Sequence, residues 1–370
     1  MEFDYKQALL DTLRKRYPDP DGYPYRSWTY PQAFMLWGFI KEYEKTKNPD
    51  YRRYVLGYCS GHVDERGVID RFTGNSLDDI MAGSVLVWAY AQTREERYRI
   101  ACNSIKKVYE TYPRTRMGGL WHAKDLEGEM WVDGVFMNLM FLVRYGVYIG
   151  DRESCFQEAV RQLDIIYRCC NKDNSSLLYH AYSENPRVSW AHPVTGRAPE
   201  VWSEGLGWYG LILAEVLELL PREHPGYRRV MELFQKLAAD LAKVQDKKAG
   251  LWYQVVDKPR WHRNWHDTSG SAMFLYCLAK GVRRNWLPEA EYRECLEKGY
   301  RGLRTKLWLG PDGCLNVNDA CNGLCVQKDY DAYVDYARAV NAQEAVAACL
   351  WALAEEELAG GAQAPCAGLK

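Results

Sequence analysis

The chain has 370 residues, 47% hydrophobic and 26% charged, enough apolar material for one large domain or two or three smaller ones. Its 48 Lys and Arg against 49 Asp and Glu give a formal net charge of −1, with the two signs interspersed. That balance excludes the electrostatic footprint of a nucleic-acid binder or of a protein held on an anionic membrane.

Helical periodicity dominates and β-like alternation is scarce. The spacing predicts helices over 4–17, 31–46, 49–61, 78–92, 94–111 and 131–149. It continues over 152–170, 202–220, 226–244, 267–284, 288–306 and 336–357. Two kinds alternate. Segments 94–111, 152–170, 226–244 and 288–306 are charge-rich and amphipathic, so each presents one face to water. Between them lie apolar segments rich in small residues, such as DDIMAGSVLVWAYA, DGVFMNLMFLV, GLGWYGLILAEVL and TSGSAMFLYCLAKGV, which must be buried on most sides. Six such alternations predict an all-α fold, an (α/α)6 toroid or barrel of six inner and six outer helices. No Pro-, Gly- or Ser-rich linker interrupts the pattern, so one domain is expected over 1–358, with a loose tail at 359–370.

The first residues lack the apolar stretch of a signal peptide, and no segment approaches about 18 uninterrupted apolar residues. The 12 cysteines are scattered, which reads as reduced thiols in a cytoplasmic protein with no membrane partner. The spacing in CLNVNDACNGLC (Cys314, Cys321, Cys325) fits no zinc pattern, and there is no phosphate loop or dinucleotide fingerprint. Composition leaves a monomer and a homodimer equally open.

The connections 62–77, 112–130, 171–201, 245–266 and 307–335 each lead into an inner helix and are crowded with Trp, His, Tyr, Gly and Asp. In a toroid the inner helices start at one mouth, so residues distant in sequence converge there. The starts read RSWTYPQ (26–32), SLDDIMAG (76–83), EMWVDGVFM (129–137), WSEGLGW (202–208), NWHDTSGSAMF (264–274) and DYDAYVDYARAVN (329–341). Five of the six carry an acid near the first turn, where the helix dipole favours one. A single carboxylate there is ordinarily a cap. Several gathered with tryptophans suit acid–base chemistry on a carbohydrate, one group donating a proton while another positions or activates water.

Asp133 is the strongest candidate, since Trp131 gives it an apolar neighbour and Gly134 leaves it unshielded, a setting that raises a carboxyl pKa. Asp78 and Asp79 are adjacent, so on a helix they cannot point the same way, and either is a candidate to face the mouth. His122 and His180 each follow an aromatic in a loop leading to an inner helix, which points to ligand contact. In WSEGLGW two glycines weaken a helix start, which implies a close approach to the backbone, and Glu204 lies between Trp202 and Trp208.

At WTYPQ, SLDDIMAG, RTRMGGLWHAKDLEGEMWVDGVFM, LLYHAY, WSEGLGW and NWHDTSGSAMFLYCLAKGVRRNWL the chain resembles glycoside hydrolase family 105, the unsaturated rhamnogalacturonyl hydrolases. It is more distantly similar to the family 88 unsaturated glucuronyl hydrolases. The resemblance spans about residues 28 to 355. It implies an (α/α)6 barrel that removes a 4,5-unsaturated uronic acid from the non-reducing end of a lyase-generated oligosaccharide, as in pectin degradation. The reaction it implies is acid-catalysed hydration of the vinyl ether, with no metal or organic cofactor. By motif Asp133 matches the acid–base residue and Asp79 or Asp78 the second carboxylate. Tyr30, His122, His180, Trp202 and Trp208 match positions lining the site, with Trp28 and Trp131 as further aromatic contacts.

One motif departs from the resemblance. The family's Trp–x–Arg–Gly–x–Gly–Trp has Glu204 in the Arg position here. An Arg fork recognises a carboxylate, whereas a charged glutamate repels one. Either another cation supplies the charge, from Arg338, Arg263, Lys124 or His266, or the substrate has changed and Asp133 with Glu204 acts on a saturated neutral or amino sugar. Two further readings are a sugar epimerase using His180 and His266, and an inactive sugar-binding homologue.

Overall fold

The computed structural model describes residues 3–360. Outer and inner helices alternate along the chain. α1 (Tyr5–Arg16) precedes inner α2 (Tyr30–Thr46), and α3 (Pro49–His62) precedes inner α4 (Leu77–Thr93). The pairs continue with α5 (Glu96–Glu110) and α6 (Val132–Tyr148), α7 (Arg152–Cys170) and α8 (Ser203–Leu219), and α9 (Tyr227–Val244) and α10 (Thr268–Arg283). α11 (Glu289–Arg304), a short α12 (Tyr330–Val334) and inner α13 (Gln343–Gly360) complete the order. Each inner helix packs on the next, and α13 packs on α2, closing the ring; behind each inner helix stands its outer partner, with α1 against α13. This is the (α/α)6 barrel.

The two helix types follow from their sequences. α9 buries Val230, Leu233, Phe234, Leu237, Ala238 and Leu241, one stripe at three- and four-residue spacing, and leaves its charges in water. α6 is buried along nearly its whole length, as its apolar run requires. Side-chain caps fix several starts: Ser76 accepts the Asp78 N–H, and Asp267 accepts that of Gly270.

One predicted element moves. The helix expected over 336–357 begins instead at Gln343. The segment before it folds as α12, capped by Asp329, and as a two-residue strand. Asn341 sits at φ 60°, a left-handed conformation that interrupts a right-handed helix. Of the tail expected at 359–370, positions 359 and 360 belong to α13, and 361–370 lie outside the described residues.

Three two-stranded antiparallel ribbons lie in the connections: β1 (Glu129–Trp131) with β2 (Ala181–Ser183), β3 (Leu307–Leu309) with β4 (Leu315–Val317), and β5 (Ala320–Cys321) with β6 (Arg338–Ala339). At the C-terminal ends of the inner helices, buried Glu215 meets Arg144, Lys280 at 2.8 Å and Lys41 at 3.0 Å. No helix among the described residues is long and apolar enough to cross a membrane.

Candidate active site

The connections at the mouth are stitched to one another by backbone pairing, and this places the polar side chains. Trp131 pairs with Ala181 in the β1–β2 ribbon, and the Val132 N–H donates to the His180 carbonyl at 2.9 Å. The His122 N–H donates to Glu129, the Leu77 N–H to His122 and the His180 N–H to Glu200. The starts of α4, α6 and α8 are thereby held against the two histidine-bearing loops.

Asp133, one residue into α6, lies between the imidazoles. Its Oδ1 is 3.8 Å from His180 Nε2, and its Oδ2 is 3.9 Å from His122 Nδ1. His122 Nε2 in turn lies 3.9 Å from Asp78 Oδ1. These contacts are longer than hydrogen bonds, and Asp133 Oδ1, Asp78 Oδ1, His122 Nδ1 and His180 Nε2 are all buried without a partner. The aromatics hold the rings. Trp131 stacks on His122 with centroids 4.2 Å apart, and Trp202 packs on His180 at 4.4 Å.

Burial pushes the Asp133 carboxyl up to about 6; nearby His122 opposes the rise and Asp78 adds to it. Asp78 rises to about 7, again through burial first and then through the carboxyls of Asp79 and Glu344. Burial lowers the pKa of both histidines, so both rings are neutral near neutral pH. Tyr333 O–H lies 2.8 Å from His180 Nδ1. A neutral ring accepting that hydroxyl at Nδ1 carries its own proton on Nε2, on the side of Asp133.

Of the adjacent acids it is Asp78 that turns toward this cluster. Asp79 accepts the Thr73 hydroxyl and is bound into the 73–75 loop by backbone N–H groups. Trp28 donates its indole N–H to the Asp79 carbonyl and stacks on Tyr58, so it braces the start of α4. Trp208 is buried among Phe34, Phe136 and Trp351, in the core rather than open to a sugar face. Tyr30 meets its ring edge and donates its hydroxyl to Glu344 Oε1 at 2.5 Å.

Glu204 is 1% exposed, and its Oε2 accepts the Ser269 hydroxyl at 2.6 Å. Burial, then the carboxyls of Glu344 and Asp267, push its pKa well up. The four cations proposed to compensate for it are engaged elsewhere. Arg338 is exposed over Trp265, Arg263 pairs with Asp331 and Asp335, Lys124 lies over Tyr112, and His266 faces Asp246 and Tyr253. None forms an ion pair with Glu204 among the described residues. His266 and His180, the pair an epimerase would need, have different partners: Asp246 and Tyr253 for the first, Asp133, Trp202 and Tyr333 for the second. The glycines of WSEGLGW serve packing: a Cβ on Gly205 would lie 2.9 Å from the Trp202 ring, and one on Gly207 2.6 Å from Met273 Sδ.

Glu344 and Tyr333 were not among the sequence candidates. Glu344 was hidden because the last helix was expected to start seven residues early, which left it mid-helix instead of in a first turn at the mouth. Tyr333 carried no signal beyond its place in a tyrosine-rich connection. Among the described residues no group of three or more His, Cys, Asp or Glu side chains is arranged to hold a metal ion.

Comparisons with known proteins identify the family and the fold. Residues 9–358 match the model of Glycosyl Hydrolase Family 88. The Agrobacterium fabrum protein Atu3128 is 32% identical over 181 residues, 48% of this chain and 76% of that protein. An unsaturated 3S-rhamnoglycuronyl hydrolase from an Alteromonas species is 30% identical over 105 residues, 28% of this chain and 25% of the relative. Among solved structures, a family 105 glycoside hydrolase from C. acetobutylicum superposes with TM-score 0.90 at 27% identity, covering 96% of this chain and 99% of that one. The unsaturated glucuronyl hydrolase of Bacillus sp. GL1 shares the fold, with TM-score 0.69 at 17% identity over 94% of each chain. A whole-length family match on a barrel whose mouth gathers Asp133, Asp78 and two neutral histidines makes this chain a glycoside hydrolase belonging to family 88.

Proposed function

We propose that this hydrolase removes a 4,5-unsaturated uronic acid from the non-reducing end of oligosaccharides left by a polysaccharide lyase, of the rhamnogalacturonan type. The observation that carries the reading is the Asp133 carboxyl, buried between two neutral imidazoles and able to hold a proton up to about pH 6. In this reading Asp133 gives that proton to C4 of the C4=C5 double bond. Water adds at C5 and returns a proton to the Asp133 carboxylate, so the acid is regenerated. The hemiketal then opens, and the hemiacetal left at C1 releases the partner sugar. In this reading Asp78, 3.9 Å from the far nitrogen of His122, is the second carboxylate, which holds the water. General acid catalysis of this kind contributes about 10²–10⁴ in rate. The similarity to a rhamnoglycuronyl hydrolase supports the substrate class.

Turnover of an unsaturated disaccharide in D2O tests this reading, with deuterium expected at C4 of the released uronic acid. A second reading, a saturated glycoside cleaved by Asp133 and Glu204, draws on the lack of any cation paired with Glu204 among the described residues. It requires a saturated sugar to be released with no deuterium on carbon.

A further inference from the structure

Five carboxyl groups, those of Asp78, Asp133, Glu204, Asp267 and Glu344, act on one another at the mouth, and none forms an ion pair with Lys or Arg among the described residues. Their hydrogen bonds divide them. Asp267 accepts the backbone N–H groups of Gly270 at 2.8 Å and Cys321 at 3.2 Å, and lies 3.0 Å from the Ser203 hydroxyl. Burial raises the pKa of Asp267 too, and these donors oppose the rise. Glu204 has no such set, and the side-chain donors of Glu344 leave one of its oxygens bare. The Ser269 hydroxyl reaches Glu204 at 2.6 Å and Asp267 at 2.9 Å, but it has one proton to give. Glu344 Oε1 accepts from Tyr30 and from the Gln343 amide, while its Oε2 is buried with no partner at all. Both glutamates are 1% exposed, and an uncompensated buried carboxylate takes up a proton before it stays charged.

We propose that Glu204 and Glu344 form a proton-bearing receptor for the carboxylate of the substrate, which is held by carboxylic O–H donors instead of a basic side chain. The proposal rests on the reading that the substrate is an unsaturated uronide. An acid-to-carboxylate hydrogen bond is short and strong, and it adds no charge to a site already crowded with acids. Six inner-helix N-termini at the same mouth favour the anion further. The titratable and polar groups facing the pair include Asp267 and Ser269 at the start of α10, Asp133 from α6, Asp78 from α4, Tyr30 from α2, Cys321 from β5 and Tyr23 ahead of α2.

The test is KM against kcat for an unsaturated uronyl disaccharide from about pH 5 to about pH 9, on the native protein. A proton-bearing receptor loses affinity as it ionises, so KM rises with pH, by up to about tenfold per unit. The inhibition constant of the substrate's methyl ester, which has no carboxylate, stays flat across that range. Glu204→Gln and Glu344→Gln, whose amides donate without titrating, each flatten the rise in KM, and thermal unfolding verifies that they fold. A flat KM in the native protein overturns the receptor, as does a methyl ester with the same slope. Competition by an amino sugar that tightens with rising pH also overturns it and makes the pair an ammonium site. Absence of turnover on any unsaturated uronide removes the substrate reading itself, whereas turnover with a flat KM removes only the receptor.

Discussion

In the proposed reaction Asp133 is the acid, and its surroundings suit it: burial raises its pKa, and Asp78 raises it further. Asp133→Asn is expected to lower kcat by about 10²–10⁴. Because the protonated form is the active one, kcat/KM of the native protein falls as pH rises through about 6. Burial is the larger cause of that raised pKa, so Asp78→Asn should leave the position of the fall in a pH–rate profile near 6. Gly205→Ala forces a methyl group against the Trp202 ring that supports His180. It should cost about 1–3 kcal/mol in denaturant unfolding and lower kcat as well. Gly207→Ala, which presses on Met273 in the core, should cost stability with little change in kcat per folded molecule. At this scale the sequence made Asp133 a candidate through its place beside Trp131 at a helix start, and His122 and His180 through the aromatic before each in a loop leading to an inner helix. It did not decide between Asp78 and Asp79, because neighbours on a helix differ by about 100° and the choice depends on where the helix begins.

α12 reaches into the site from the last connection. Tyr333 is the only described side chain bonded to His180 Nδ1, and it links that helix to the imidazole beside Asp133. Tyr333→Phe leaves that nitrogen buried without a donor, a loss of about 1–3 kcal/mol in stability. Freed to adopt either tautomer, His180 no longer presents a fixed Nε2–H to Asp133, so kcat should fall while KM changes little; an unaltered kcat would assign Tyr333 to packing alone. The eleven earlier helices were readable within about two residues from periodicity and caps. The twelfth was not, because pairing of Arg338–Ala339 with Ala320–Cys321 is a long-range event that overrides helix propensity over 335–342. Glu344 was lost with that boundary.

Across the whole barrel, charge is divided between its ends. The mouth holds carboxyls with raised pKa values; the far end holds Glu215 with its pKa held well down by Lys280, Lys41 and Arg144. Glu215→Leu leaves buried Arg144 without its carboxylate, Lys280 with only Glu218 at 3.8 Å and half-buried Lys41 without its ion pair, and should destabilise by about 3–5 kcal/mol. The stabilisation from Glu215 is present above the ordinary carboxylate pKa and lost as pH falls through its depressed one, so the gap between wild type and variant narrows in acid. Asp78 has the opposite sign: its contribution is intact below its ordinary pKa and lost as pH rises through about 7. Asp78→Asn should therefore raise the melting temperature above neutral pH while impairing turnover, a separation of stability from activity seen at functional sites. The central claim is that Asp133 protonates an unsaturated uronide. It is tested most directly by following the ultraviolet absorbance of the conjugated enol acid in an unsaturated disaccharide, with wild type and Asp133→Asn side by side. The account predicts rapid loss with wild type and almost none with folded Asp133→Asn; equal loss with both, or none with wild type on any unsaturated uronide, would contradict it.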